Sequence, residues 1–222
     1  MSSQTQSGGH LTNDDAKRTA PGLRVDLRLI ADKINAGTRV LDVGCGDGAL
    51  LNYLATHKDV DGRGIELSQS GVNACVARGL AVIQGNADTD LSDYPSGAFD
   101  YVILSQTLQA VHQPHKVMSE MLRIGTRGIV SFPNFGYWRV RWDLLTHGRM
   151  PITETLNQAW YETPNIHMCT VKDFVLLCDD LGIAIEQSIT VDHNGRPTPF
   201  QGSGFLANLL SEQGVFVLGN GI

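Results

Sequence analysis

Residues 40–48 read VLDVGCGDG: an apolar run interrupted by one carboxylate and followed at once by three glycines in five positions. Upstream, Arg39–Val43 has the compact apolar character of a buried strand. Downstream, Leu50, Leu51 and Leu54 fall on one face of a helix. A strand that enters a helix through a turn stripped of side chains commits the chain to a βα unit, with the turn at the strand's carboxyl end. Glycine permits positive φ there and lets a ligand lie against the main chain, while the free amides of a helix start favour a carboxylate or phosphate. Glycines also form tight turns that bind nothing, but strand, turn and helix in register favour the ligand-binding reading.

The rest of the chain repeats the unit. Leu27, Ile30, Ala31 and Ile34 recur at helical spacing ahead of the glycines. Further strands are expected at Gly64–Leu67, Leu80–Ile83, Tyr101–Leu104 and Gly128–Phe132, with two closing strands at Ile183–Val191 and Val215–Leu218. Between them, Val72, Cys75 and Val76 mark one helix that Gly79 is placed to end, and Pro114 opens another carrying Val117, Met118, Met121 and Leu122. Thr170 and Asp173 have the spacing of a capping box, with Phe174, Leu177 and Leu181 continuing that helix. The pattern predicts an α/β fold: a seven-stranded, mostly parallel sheet of Rossmann-like type, with helices on both faces and the ligand at the carboxyl ends of the strands.

Two nucleotide chemistries compete for the turn. Gly44, Gly46 and Ala49 satisfy the dinucleotide spacing, and Glu66 follows at the distance expected of a ribose-binding acid. Asp42 opposes that reading, because a carboxylate just before the turn repels a pyrophosphate and attracts an ammonium or sulfonium. Gly48 also changes the pattern to GxGxG. No GxxxxGK[ST] is present, which removes a P-loop at the level of motif.

An acid two residues before GxGxG, then a helix, resembles the first motif of the class I S-adenosylmethionine-dependent methyltransferases, and the resemblance runs over about residues 24–131. It implies a cofactor, S-adenosylmethionine or S-adenosylhomocysteine, whose methionine part borders Asp42, Gly44, Cys45 and Gly46, with Gly48 completing the turn. It also implies that Glu66, beside Leu67, holds the ribose hydroxyls, since a carboxylate accepts from two neighbouring hydroxyls at once. The QGNAD segment places Asn86, Ala87 and Asp88 where the family often holds the adenine amino group. Asn86 stands at the expected acid position, and Asp88 reads equally well as a loop-capping residue. Ser105 and Gln106, after the fourth strand, complete the cofactor-facing set.

The segments LSQTLQAVHQP (104–114), FPNFGYWRVRWDLLTHGRMP (132–151) and WYETPNIHMCTVKDF (160–174) resemble the MetW family of methionine biosynthesis proteins. With the glycine motif they cover most of residues 24–218. This resemblance implies the methyltransferase fold with an accessory role beside a homoserine O-acyltransferase, a MetX-like partner. A catalytically active methyltransferase of a small-molecule acceptor is the alternative. SQTLQ offers hydrogen-bonding groups but no base, so no catalytic residue is assigned. His112 and His115 form HQPH without further Cys or His at ligand spacing, and no metal site is expected.

Residues 133–168 form an insert that concentrates all three tryptophans, Trp138, Trp142 and Trp160, with Arg139, Arg141 and Arg149 among them. A helix places Trp138 and Trp142 on one face. A lid over the cofactor cleft and a protein-docking surface are both open readings. The remaining expectations are a disordered tail at 1–22, a single domain at 23–222, and a cytoplasmic protein without membrane or nucleic-acid partners. They follow from the polar start, the net charge of −6, four Cys without a CxxC pair, and the lack of a long apolar stretch.

Overall fold

The computed structural model describes residues 23–153, 155–200 and 204–221; the expected tail at 1–22 lies outside the described residues. A helix, α1 (Val25–Lys33), leads into β1 (Arg39–Val43), α2 (Ala49–Lys58), β2 (Asp61–Glu66), α3 (Gln69–Ala77) and β3 (Ala81–Gln84). A short 3-10 turn precedes β4 (Phe99–Ser105), followed by α4 (Pro114–Ile124), β5 (Gly125–Pro133) and α5 (Trp138–His147). The chain then forms α6 (Val171–Asp180), β6 (Ile183–Val191), α7 (Phe205–Leu210) and β7 (Gln213–Asn220).

The seven strands form one sheet in the order β3-β2-β1-β4-β5-β7-β6. Strands β1 to β5 pair in parallel, and β7 runs antiparallel between β5 and β6. This is the mostly parallel Rossmann-like sheet that the alternating pattern predicts, in the class I methyltransferase form that the resemblance of the glycine motif implies. Strand order reverses between β1 and β4, so their carboxyl ends flank the crevice where ligands of such sheets bind.

Alternation along the strands sorts the core onto two faces. Val40, Ile103 and Ile129 meet Ile30, Ile34, Leu50 and Leu54 of α1 and α2. Leu41, Val102 and Val130 meet Met118 and Met121 of α4 and Phe174 of α6. On that second face Phe132, Phe174 and Phe216 pack as a trio, with ring centroids 4.7–5.6 Å apart. The capping box at Thr170 and Asp173 is formed, each side chain bonding the other's backbone amide. Strand β5 begins three residues earlier than the apolar run indicates, because Gly125 and Arg127 pair with Phe99 and Tyr101. Among the described residues no helix is long and apolar enough to cross a membrane.

Candidate functional site

β1 carries Asp42 into the sheet interior, where only 2 % of it is exposed. One carboxylate oxygen, Oδ1, has no hydrogen-bond partner among the described residues. Burial pushes the Asp42 carboxyl up to about 7. Arg24 opposes the shift, while Glu66 and Asp26 add to it. A buried acceptor of this kind is costly unless something binds it.

The turn that follows sits at positive φ at each glycine: 75° at Gly44, 57° at Gly46 and 75° at Gly48. A side chain at Gly44 would collide with Thr107. Gly46 differs, for a Cβ added there meets nothing within 4 Å, so its bareness serves the open space in front of the turn. Its amide donates to Glu66 Oε2 at 2.9 Å, which ties the end of β2 to the turn. Glu66 Oε1 accepts from the Ser68 amide and hydroxyl at 2.9 and 2.8 Å. Gly71 lets α3 pack against this assembly, since a Cβ there would lie 2.7 Å from Glu66 Cγ and 2.8 Å from the Gly46 carbonyl. Cys45 is buried beneath the turn with its Sγ 4.0 Å from Cys75 Sγ, and burial pushes both thiols up.

The structure thus gathers Asp42, Gly44, Cys45, Gly46, Gly48 and Glu66 around one cradle, with Leu67 exposed beyond the end of β2. The loop after β3 behaves differently. Asn86 Oδ1 accepts from the Asp88 amide at 2.9 Å, leaving it one further lone pair, and Ala87 packs against the core. Asp88 is 8 % exposed, and its two oxygens accept from the Gln113 and His112 amides at 2.8 and 3.0 Å. The Asp88 carboxylate thus fills the capping role and closes the approach to α4, while each oxygen keeps a further lone pair.

Ser105 and Gln106 lie at the end of β4, where sequence reasoning missed their principal partners. Asp26, 2 % exposed, accepts from Ser105 and Ser131 at 3.1 and 3.0 Å. Arg24 grips Asp26 through two bonds of 3.0 and 2.9 Å and also donates to Ser105 at 2.8 Å. Gln106 takes a φ of 55°, with its amide bonded to the Ser131 carbonyl at 2.8 Å. Beside Arg24, Asp26 and Gln106 opens a cavity of about 670 Å³, walled by the 150–168 part of the insert and by residues near β6 and β7. The insert thus divides. Its second half walls this cavity, whereas α5 buries Val140 and leaves Trp138, Trp142 and Leu145 exposed at 44 %, 57 % and 79 %. His115 and His167 border a separate shallow depression with Asp173 and Asp180. Among the described residues no group of three His, Cys, Asp or Glu is gathered as a metal would require.

The cradle can hold a molecule that brings positive charge to Asp42 and hydroxyls to Glu66. The family described as methionine biosynthesis protein MetW matches residues 24–218 of the chain. The chain belongs to the MetW family. It is 36 % identical over 188 residues to the bifunctional methionine biosynthesis protein MetXA/MetW of Rhodopirellula baltica, which covers 80 % of this chain and 30 % of that protein. A shorter similarity, 34 % over 97 residues, joins this MetW-family chain to ajmaline N-methyltransferase of Rauvolfia serpentina, over 40 % and 33 % of the two chains. The chain thus spans about a third of the length of these curated relatives. Among solved structures, a SAM-dependent methyltransferase from Archaeoglobus fulgidus superposes with a TM-score of 0.62 at 13 % identity, covering 86 % and 90 % of the chains. The [4+2]-cyclase SpnF gives 0.62 at 18 % identity over 88 % and 80 %. At such identities these neighbours establish the fold of the MetW-family chain, and function has to be argued from its site.

Proposed function

We propose that the chain is a single nucleoside-binding domain of methionine biosynthesis. It holds S-adenosylmethionine or S-adenosylhomocysteine in the Asp42–Gly46–Glu66 cradle and acts in the cytoplasm as an accessory partner of homoserine O-acyltransferase. The observation that carries the partnership is the MetXA/MetW relative, in which two named parts share one polypeptide. For the cofactor, the support is a buried carboxylate with an orphaned oxygen, placed just before a turn whose central glycine faces open space. Asp42 would face the charged methionine end and Glu66 the ribose, while the Gly46 side of the turn admits the ligand to the backbone. The bound cofactor would supply a sulfonium and, where an acceptor is aligned, a transferable methyl group. Free thiols at Cys45, Cys75, Cys169 and Cys178 suit a reducing compartment.

Glu66 has two duties, for the same carboxylate that would take the ribose hydroxyls also braces the Gly46 amide. Glu66→Ala is expected to weaken S-adenosylmethionine binding by about 1.5–3 kcal/mol, the range of charge-assisted hydrogen bonds. Calorimetric titration yielding wild-type affinity in that variant would detach Glu66 from the site.

The exposed face of α5 is the natural place for docking, because Trp142 and Leu145 there present most of their apolar surface to solvent. In co-purification with the acyltransferase, Trp142→Ala combined with Leu145→Ala is expected to lose the complex while keeping cofactor affinity within about twofold. A full-strength complex in the double variant would move the interface elsewhere. No association of the wild-type proteins at micromolar concentration would end the partnership reading.

The cavity beside the cradle favours a second reading, methyl transfer to a small acceptor. Incubation with labelled cofactor and a metabolite extract tests it. Labelled product that disappears in Asp42→Ala would place catalysis ahead of the accessory role.

A further inference from the structure

The cavity beside the cradle has a chemistry of its own. Phe135, Met150, Trp160, Ile166 and Met168 supply apolar and aromatic surface, and the volume of about 670 Å³ suits a small organic molecule. The polar end is built at the start of β7. Glu212 and Gln213 are each only 6 % exposed, and both line the cavity. Their backbones do the structural work there: the Glu212 amide donates to Val191, and its carbonyl accepts from Asn134. Their side chains are left over. Gln213 Nε2 is buried without a hydrogen-bond partner, and Glu212 joins no ion pair among the described residues.

Among the described residues no other charge around the cavity forms an ion pair with Glu212, although His193 lines the cavity with it and Arg139 shares a neighbouring pocket with it. Arg24 is held by Asp26 through its two bonds, so this pair adds no net charge. Asp192 accepts from the Asn194 and Arg196 amides, with His193 and Arg196 beside it. On the far side of Glu212 stands Tyr137, whose phenol is pushed up by burial and then by the Glu212 charge, with Arg139 opposing. A carboxylate enclosed without an ion pair leaves room for a counter-ion from outside the chain, and an apolar wall facing it favours a cation with an organic body.

We propose that this cavity binds a protonated organic amine, with Glu212 as its counter-ion, Gln213 Nε2 donating to an oxygen of the same molecule, and Trp160 covering its apolar part. The site is distinct from the cradle and adjoins it through Arg24, Asp26 and Gln106. Its occupancy does not depend on whether a methyl group is ever transferred.

Titration of the full chain with tyramine and phenethylamine, against phenethyl alcohol and 3-phenylpropionate as neutral and anionic controls of similar size, tests the assignment. The amines are expected to bind at least about tenfold tighter than the alcohol, and the carboxylate not to bind. Tyramine, which carries an oxygen, should exceed phenethylamine. Glu212→Gln should bring amine and alcohol within about twofold of each other while S-adenosylmethionine affinity, measured on the same sample, stays unchanged. Trp160 is 72 % exposed, so Trp160→Ala should fold normally and weaken amine and alcohol alike. Wild-type affinities that ignore charge, no binding of either amine up to about 10 mM, or an amine preference that survives Glu212→Gln overturns the proposal. The first two outcomes need no variant, so they hold even if Glu212→Gln fails to fold.

Discussion

Asp42→Asn is expected to make the unliganded chain more stable at pH 8 and, at the same time, to weaken its hold on the sulfonium nucleoside by more than about tenfold. Both effects come from one buried oxygen. In the unfolded chain the carboxyl ionises near its ordinary value of 3.8; in the fold, burial above all moves ionisation to about 7. Between those values the folded chain keeps a proton that the unfolded chain has released. The group's contribution to stability is therefore fully present below the unfolded value and is lost as pH rises through 7. At about 1.4 kcal/mol for each tenfold, the loss amounts to roughly 4 kcal/mol at alkaline pH. Asparagine has no proton to lose, so the stability difference between variant and wild type should widen across that window in denaturant titrations. Cofactor affinity of the wild-type chain should rise about tenfold per pH unit up to 7 and then level off, because a fixed positive charge binds only the ionised carboxylate. The variant's affinity should be weak and flat in pH. A variant no more stable than wild type at pH 8, or one with the wild-type affinity profile, would remove Asp42 from the site.

Gly46→Val is expected to abolish cofactor binding, a loss of more than about a hundredfold, while the chain still folds. Two effects have to be separated. At φ 57° a β-branched residue is strained, at about 1–2 kcal/mol or somewhat more. A Cβ added there, however, meets nothing within 4 Å beyond its chain neighbours, so the side chain starts out into the space where a ligand would approach the backbone. Gly37 supplies the control. It has a φ of 71° and equally open surroundings, but it precedes β1 at the opposite end of the strand from the cradle. Gly37→Val should therefore lose similar stability and keep its affinity. Equal binding losses in the two variants would mean that strain, not occlusion, explains the effect.

The parts of the molecule that are local in sequence were legible there. Strand, turn and helix around Gly44–Gly48 lie within 20 residues, and their periodicity, glycines and acid carry the whole unit. Pairing that reaches across the chain left no such trace. Asp88 looks like any loop acid until the His112 and Gln113 amides, 24 and 25 residues on, occupy both oxygens. Asp26 reads as an ordinary first-turn acid of α1, and only Ser105 and Ser131, 79 and 105 residues away, make it a buried anchor. Glu212 and Gln213 precede the apolar run of β7 and pass for loop polarity. Gly214 separates them from VFVL, so the apolar run alone does not show that β7 already begins at Gln213.

The placement of β7 also governs how the protein is made. It is the last of the described strands, yet it lies between β5 and β6. A ribosome that has delivered β5 leaves its outer rim unpaired, because β6 cannot join until residues 213–220 arrive to bridge it. At about 5–20 residues per second, that rim stays open for roughly 4 to 17 seconds of elongation. Throughout that wait the nascent polypeptide offers a template for aggregation, so translation stalled beyond β5 would yield a sticky, incomplete product in need of chaperones.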